Sequence, residues 1–353
     1  MPLTIYAVGD IMLGEQPLCY GFGVESVTNI YGASYLFHNV SPLLSDGDIF
    51  FGNLESPIFN RKNHNDFKES FFRADPYVVA ALKKGRFNAL SVANNHIMEH
   101  GKNGFDSTVS ILKENNILPV GIRDRIDVIT VKGIKIAILA YSFIEDYCLE
   151  SLYNKIQSEN KIIEDIQSIR ESVDIVIVAL HWGYEYIPCP SPDQMIIGRK
   201  LINCGADIIL GGHPHVVQGY EFFKGRPIFY SLGNFIFDMT FINNTRRSVI
   251  AKIQIDLEPN IINIEMIPII CDFKRYYPKI INGDESEKFL ITQGNGEKYN
   301  NNTSEYLKRN QGYINSAKND MKIHFIKSLY RYPPKLSFHI IKSFLEGKVR
   351  KIA

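Results

Sequence analysis

The chain has almost no net charge: 39 Lys and Arg against 38 Asp and Glu leave +1 over 353 residues. That balance gives no footing to a nucleic-acid partner. Its five cysteines, Cys19, Cys148, Cys189, Cys204 and Cys271, are scattered, odd in number and form no close pair. They resemble neither a disulfide framework nor a zinc knuckle, which fits a reducing compartment. No apolar run approaches the roughly 20 residues that cross a bilayer. Met1-Pro2-Leu3-Thr4 leads straight into an apolar strand, with no basic stretch or signal core before it. The expected setting is cytoplasmic, with peripheral membrane contact at most. Also missing are His-Glu-x-x-His, a P-loop, a dinucleotide glycine pattern and a Gly-x-Ser-x-Gly elbow, each the signature of another chemistry.

What the chain does have is a set of short polar motifs, each placed directly after an apolar run. They are Gly9-Asp10, Gly52-Asn53-Leu54-Glu55, Asn94-Asn95-His96, His181-Trp182-Gly183-Tyr184-Glu185, Gly212-His213-Pro214-His215 and Leu232-Gly233-Asn234. The runs before them cover residues 3–8, 48–51, 89–93, 174–180, 206–210 and 227–231 and are rich in Val, Ile and Phe. Such strings indicate strands buried on both faces. In open α/β sheets ligands sit beyond the carboxyl ends of these strands. Side chains spread over more than two hundred residues of sequence are therefore expected to converge.

Each motif carries a chemical expectation. In His213-Pro214-His215 the residue before proline is pushed toward extended backbone, and positions two apart in an extended chain face the same side. Both imidazoles are then expected to aim at one location. Asp10 and Glu55 supply the anionic ligands that neutral imidazoles do not, and spacing does not say whether Asn53 or Glu55 reaches the site. An Asn carbonyl in Asn94-Asn95 can ligate a metal, and His96 can donate to a developing oxyanion. Glu185 is a general acid, an orienting group or a substrate contact. Carboxylate, amide and imidazole ligands together suit Mn, Fe or Zn better than Ca. Two divalent ions about 3.5–4 Å apart, or a single one, would activate a water for hydrolysis.

Strand and helix alternate over residues 3–215, with helical patterns at Tyr35–Leu44, Pro76–Lys84, Asn103–Glu114, Asn160–Glu171 and Asp193–Asn203. This implies mostly parallel pairing with crossover helices. Beyond residue 215 the strand runs at Val216–Phe223, Pro227–Tyr230, Ser248–Asp256 and Asn260–Pro268 predict a second, more antiparallel layer. Ser56–Asp75 is long and polar for a connection, as lids and binding loops are. The expected division is a domain over 1–271, a polar loop or linker over 272–319, and a basic amphipathic helical tail over 320–353. From Lys318 onward nine basic residues face two acidic ones, leaving +7, so the tail is a candidate contact with a membrane surface or a synthesis complex.

The strings Gly9-Asp10-Ile-Met-Leu-Gly14, Asn53-Leu-Glu55, Phe71-Phe-Arg-Ala-Asp-Pro76, Ala93-Asn-Asn-His96, His181-Trp-Gly, His213-Pro-His-Val-Val-Gln218 and Tyr230-Ser-Leu-Gly-Asn-Phe-Ile-Phe-Asp238 occur in order. They resemble the CapA family of poly-γ-glutamate capsule biosynthesis proteins, a branch of the calcineurin-like metallophosphoesterases, over about residues 3–271. The resemblance implies a four-layer α/β/β/α sandwich of metallo-dependent phosphatase type with a C-terminal extension. It also implies a metal set of Asp10, Asn95, His181, His213 and His215, with His96 as the transition-state histidine. Met12 and Asn53 stand where the phosphoesterases carry a metal histidine and a bridging aspartate, which weakens the first metal position and leaves two alternatives, Glu55 as the replacement carboxylate or a site that holds a single ion. The implied function is metal-dependent hydrolysis or transfer on poly-γ-glutamate or a related γ-glutamyl envelope polymer. A phosphoesterase or a non-catalytic scaffold of the synthesis complex are the alternatives. Arg73 and Glu185 are the candidate substrate contacts, since a planar guanidinium pairs with carboxylate.

Overall fold

The computed structural model describes residues 2–60, 67–146, 148, 150–256, 261–283 and 302–345. Four strands, β1 (Leu3–Ile11), β2 (Ile49–Leu54), β3 (Ala89–Ser91) and β4 (Leu118–Val120), pair in parallel in that order. Every residue of β1, β2 and β3 is buried, as continuous apolar strings require. Helices α1 (Val24–Tyr31), α2 (Val79–Lys84) and α3 (Gly101–Glu114) add Val24, Leu82, Phe105 and Leu112 to the core around this sheet.

A second sheet has the order β5 (Asp127–Val131), β6 (Ile134–Ser142), β7 (Ile175–His181), β8 (Ile208–Gly212), β10 (Arg226–Leu232), β9 (Val217–Phe223). Its central strands alternate by face. Ile136, Ile138, Ile177, Ala179, Ile208 and Leu210 join the core shared with the first sheet. Leu139, Tyr141, Val176, Val178 and Ile209 meet Ile162 and Ile166 of α4 (Asn160–Ile169), and Met195 and Leu201 of α5 (Pro192–Asn203). The result is four layers, helices on each outer face of two packed sheets. Ser191 and Gln194 form a reciprocal capping box at the start of α5, with Pro192 in its first turn.

The late strands do not make a separate antiparallel layer, contrary to the sequence expectation. β11 (Asn234–Ile236) pairs with β1 in parallel, and β12 (Arg247–Asp256), β13 (Ile261–Cys271) and β14 (Pro278–Ile280) extend the first sheet from the other edge of β1. Their apolar faces find an existing layer to complete. The helical pattern at Tyr35–Leu44 is also replaced, by two short 3-10 turns, Ala33–Phe37 and Leu43–Asp46.

Residue 271 does not end the regular structure. β14 continues the sheet past it, and helix α6 (Thr303–Ser328) begins inside the span expected to be a loose linker. Ala317, Met321 and Phe325 of α6, with Leu336 and Ile340 of α7 (Pro334–Leu345), bury against Met12, Tyr186, Phe237 and Met239. The Tyr332 hydroxyl donates to the Leu18 carbonyl at 2.7 Å. The extension is thus part of the folded body. Among the described residues no helix is long and apolar enough to cross a membrane.

Candidate metal centre

The carboxyl ends of β1, β2, β3, β7 and β8 meet in one buried place. Close backbone approach brings them there: a Cβ on Gly9 would fall 1.8 Å from the Gly233 carbonyl oxygen, and one on Gly212 would fall 2.6 Å from Asp10 Oδ1. Asp10 Oδ2 accepts from the His213 amide at 3.1 Å and lies 3.4 Å from His215 Nδ1. Burial alone would raise the Asp10 acid, but the hydrogen bond and charge of His215, with His181, outweigh it and hold the carboxyl below its usual range. Glu55 goes the other way, pushed well up by burial and then by the neighbouring Asp10.

Asn53 and Glu55 both reach the site, in different roles. The Asn53 amide nitrogen donates toward Asp10 Oδ1 at 2.9 Å and Glu55 Oε1 at 3.2 Å, and lies 3.1 Å from His181 Nδ1. Its oxygen accepts from the Asn94 amide at 3.0 Å. In that orientation the Asn53 nitrogen faces the two acids and its oxygen faces Asn94, with the Glu55 carboxylate beside Asp10. Asn94 is consumed structurally, since its oxygen caps the His96 and Ile97 amides. Asn95 Oδ1 lies 2.8 Å from His181 Nε2. His96 Nδ1 lies 3.1 Å from Glu99 Oε1, and its ring stacks on Phe72 at 4.4 Å. Phe72 comes from the long polar loop, whose residues 61–66 lie outside the described residues.

His213 and His215 do converge, but not on an extended backbone. Both have positive φ, +93° and +58°, so the chain twists through the left-handed region at each histidine. Their ring centroids are 5.9 Å apart, and that of His213 is 4.8 Å from His181. Burial, with neighbouring histidines, depresses His181, and burial takes His213 down to about 4. Burial would depress His215 as well, but its hydrogen bond to Asp10 prevails and raises it.

Ligand atoms of Asp10, Glu55 and His181 lie within 4.8 Å of one another, as do those of Glu185, His213 and His215. Glu55 Oε2 and His213 Nδ1 are buried without a hydrogen-bond partner, and a buried orphan of this kind costs about 1–3 kcal/mol. Cations bound in these two groups would offer the orphaned atoms partners, and one beside Asp10 and Glu55 would relieve the crowding of two buried carboxylates. The residues therefore fit a divalent metal.

The centre opens into a cleft of about 520 Å³ lined by Asn95, His96, Glu185 and His213. Its walls also carry Glu99, Glu145, Asp146 and Asp193, with no Lys or Arg lining it among the described residues. Arg73 is not there. It is buried, donates to Glu25 at 2.6 Å and to Asp75 at 2.5 Å, and reaches the Phe59 carbonyl at 2.8 Å. This corrects the reading of Arg73 as a substrate contact: its charge is spent inside the fold. Sequence reasoning also missed the part played by α6, whose Thr303 hydroxyl donates to Asp193 on the cleft wall at 2.8 Å. Tyr306 packs 5.9 Å from Tyr184, also on that wall.

The profile of the bacterial capsule synthesis protein family PGA_cap matches residues 4–239. The capsule biosynthesis protein CapA of Bacillus anthracis is 33% identical, over 73% of this chain and 64% of that protein. The PGA biosynthesis protein CapA of Bacillus subtilis (strain 168) is 34% identical, over 73% of this chain and 68% of that protein. The chain thus spans about two thirds of the length of these relatives. Among solved structures, one described as a novel phosphatase from Mycoplasma pneumoniae superposes with a TM-score of 0.51 at 14% identity, covering 78% of this chain and 96% of that one. That likeness shows the fold, a metallophosphatase-type sandwich. With the profile, the two relatives and the strand-end motifs in agreement, the chain belongs to the bacterial capsule synthesis protein family PGA_cap.

Proposed function

We propose that the chain is a metal-dependent hydrolase or transferase acting on a γ-glutamyl amide of an envelope polymer of the poly-γ-glutamate class. The observation that carries this reading is the pair of orphaned buried atoms, Glu55 Oε2 and His213 Nδ1, at the base of an open cleft. Asp10, Glu55 and His181 would hold one divalent ion and His213 and His215 a second, with Mn, Fe or Zn the expected identities. When bound, such ions polarise a carbonyl and lower the pKa of a coordinated water toward roughly 7.

The other roles fall to the chain's own side chains. With Nδ1 held by Glu99, His96 in its doubly protonated form would donate from Nε2 to charge developing on the reacting carbonyl. Glu185, on the cleft wall, would protonate a departing amine or hold an entering one. Of the five carboxylates on the wall, Glu145 and Asp146 are paired with Lys155 behind them, at 3.0 and 2.8 Å, and Glu99 meets His96, while no Lys or Arg lines the cleft among the described residues, so its surface leans acidic. That lean favours the amine-bearing end of a γ-glutamyl chain, or an amine acceptor, beside the metal centre.

The test is incubation of metal-replete protein with γ-glutamyl oligomers carrying a free or an acetylated amine, with an aryl phosphate in parallel. Amide cleavage or transfer that prefers the free amine supports the reading. Turnover of the aryl phosphate alone would assign a phosphoesterase, and no turnover with an intact polymer-production phenotype in His96→Ala cells would assign a scaffold.

A further inference from the structure

Away from the metal-ligand cluster, a second cleft of about 610 Å³ lies between α1, the turn after β13 and the C-terminal end of α6. Lys274, Arg275, Lys327 and Arg331 line it, and none of the four has a carboxylate partner in an ion pair among the described residues. Their stems are nonetheless held in place. The Arg331 guanidinium lies 4.5 Å from the Phe22 ring centroid and that of Arg275 lies 5.5 Å from Tyr31. One carboxylate reaches the floor, Asp238, and it is buried and engaged by the Gln16 amide and side chain, each at 3.0 Å.

The rim of this cleft is apolar in a way that water does not favour. Ile30 is 73% exposed, Phe273 51% and Tyr330 79%; beside the cleft in sequence, Ile326 of α6, four residues before Tyr330, is 69% exposed. Exposed apolar groups clustered beside cations mark an interaction surface, and the charge decides what it meets. A polycarboxylate chain would use the four cations and gain nothing from Ile30 or Ile326. A second copy would set like charge against like charge, because residues 318–345 carry six basic side chains and one acidic. An anionic bilayer uses both features, phosphate for the guanidinium and ammonium groups and the acyl boundary for the apolar rim.

We propose that this cleft receives the phosphate headgroup of an anionic lipid while Ile30, Ile326 and Tyr330 enter the acyl boundary, seating the chain on a membrane surface. The test is co-sedimentation of the full chain with vesicles of phosphatidylcholine alone or mixed with phosphatidylglycerol. Salt-sensitive binding to the mixed vesicles only is expected, weakened on the order of ten-fold in Lys274→Glu/Lys327→Glu and also weakened in Ile30→Ser/Tyr330→Ser, with thermal midpoints unchanged. Equal binding to both vesicle types, no binding, or indifference to both double variants would overturn it. Loss of poly-γ-glutamate binding in the charge-reversal variant, without vesicle binding, would assign the cleft to the polymer. A concentration-dependent dimer lost in the same variant would assign it to a second copy. None of these positions touches the metal-ligand cluster, so metal content and amide activity are expected to be unchanged in every variant.

Discussion

At the scale of single residues, His213 and Arg73 show opposite fates for two polar groups singled out by sequence. His213 sits at φ +93° with its Nδ1 buried and unpartnered, a local cost of about 1–3 kcal/mol for the backbone alone. Such strain persists only where the surroundings impose it, and here they bring His213 beside His215 and Glu185. Arg73 is enclosed by Glu25 and Asp75. Burial already raises the Glu25 acid to about 8 against the lowering effect of Arg73, so removing Arg73 leaves a protonated, poorly partnered acid, and Arg73→Ala is expected to lower unfolding free energy by about 1–3 kcal/mol, while folded protein keeps its activity. A chemical denaturation curve read with turnover per folded molecule checks this, and a full-stability variant with lost substrate affinity would contradict it. The pairing was not legible in sequence, because Glu25 lies in the first turn of α1, 48 residues away, with nothing to mark it. The histidines, Asp10 and Glu55 were legible because strand ends collect ligands.

The same residues set a pH dependence. A histidine protonated in the free protein must lose that proton to bind metal, and His215 is the one whose pKa is raised by Asp10 despite burial. His181 and His213 are depressed and already neutral near pH 7. Apparent metal affinity is therefore expected to rise with pH through the raised His215 value, with proton release on binding. It is expected to collapse altogether near pH 4, where His213 also titrates. Calorimetric titration of the metal-free protein in buffers of different ionisation enthalpy reads the proton directly.

At the scale of elements, the site exists because strands cross without side chains between them. A Cβ at Gly212 would lie 2.6 Å from Asp10 Oδ1, so Gly212→Ala is expected to displace Asp10 and cost about 1–3 kcal/mol of stability. Metal content is expected to fall further than that loss explains, as elemental analysis beside a melting curve would show. Parallel β1, β2, β7 and β8 could be read from continuous apolar runs. Ile134–Ser142 went unread although its apolar string is as strong as theirs, because no polar motif follows it to draw attention. The destination of β12 and β13 was illegible for a different reason: antiparallel strands can join any sheet edge, and only tertiary packing chooses.

At the scale of the whole molecule, the C-terminal extension changes from tail to wall. Its helices cover Met12, Tyr186, Phe237 and Met239, and the His215 ring lies 4.9 Å from Phe237. Removing residues 272–353 would expose that cluster behind the metal ligands. The truncated chain is expected to aggregate or to lose protease resistance at 25 °C, and a stable, metal-loaded truncation would show that the extension is dispensable. The polar composition between residues 282 and 319 concealed this, because α6 buries only a narrow stripe, Tyr306, Asn310, Ala317, Met321 and Phe325, diluted by exposed polar residues.

The central claim is that the strand-end cluster is a metal centre, and the most direct measurement is elemental analysis of the purified full chain beside His213→Ala. One or two divalent transition-metal ions per chain, lost from a variant whose circular dichroism and melting curve remain those of a folded protein, is the expected result. No bound metal after metal-replete expression, or the same metal content in the variant, would contradict it.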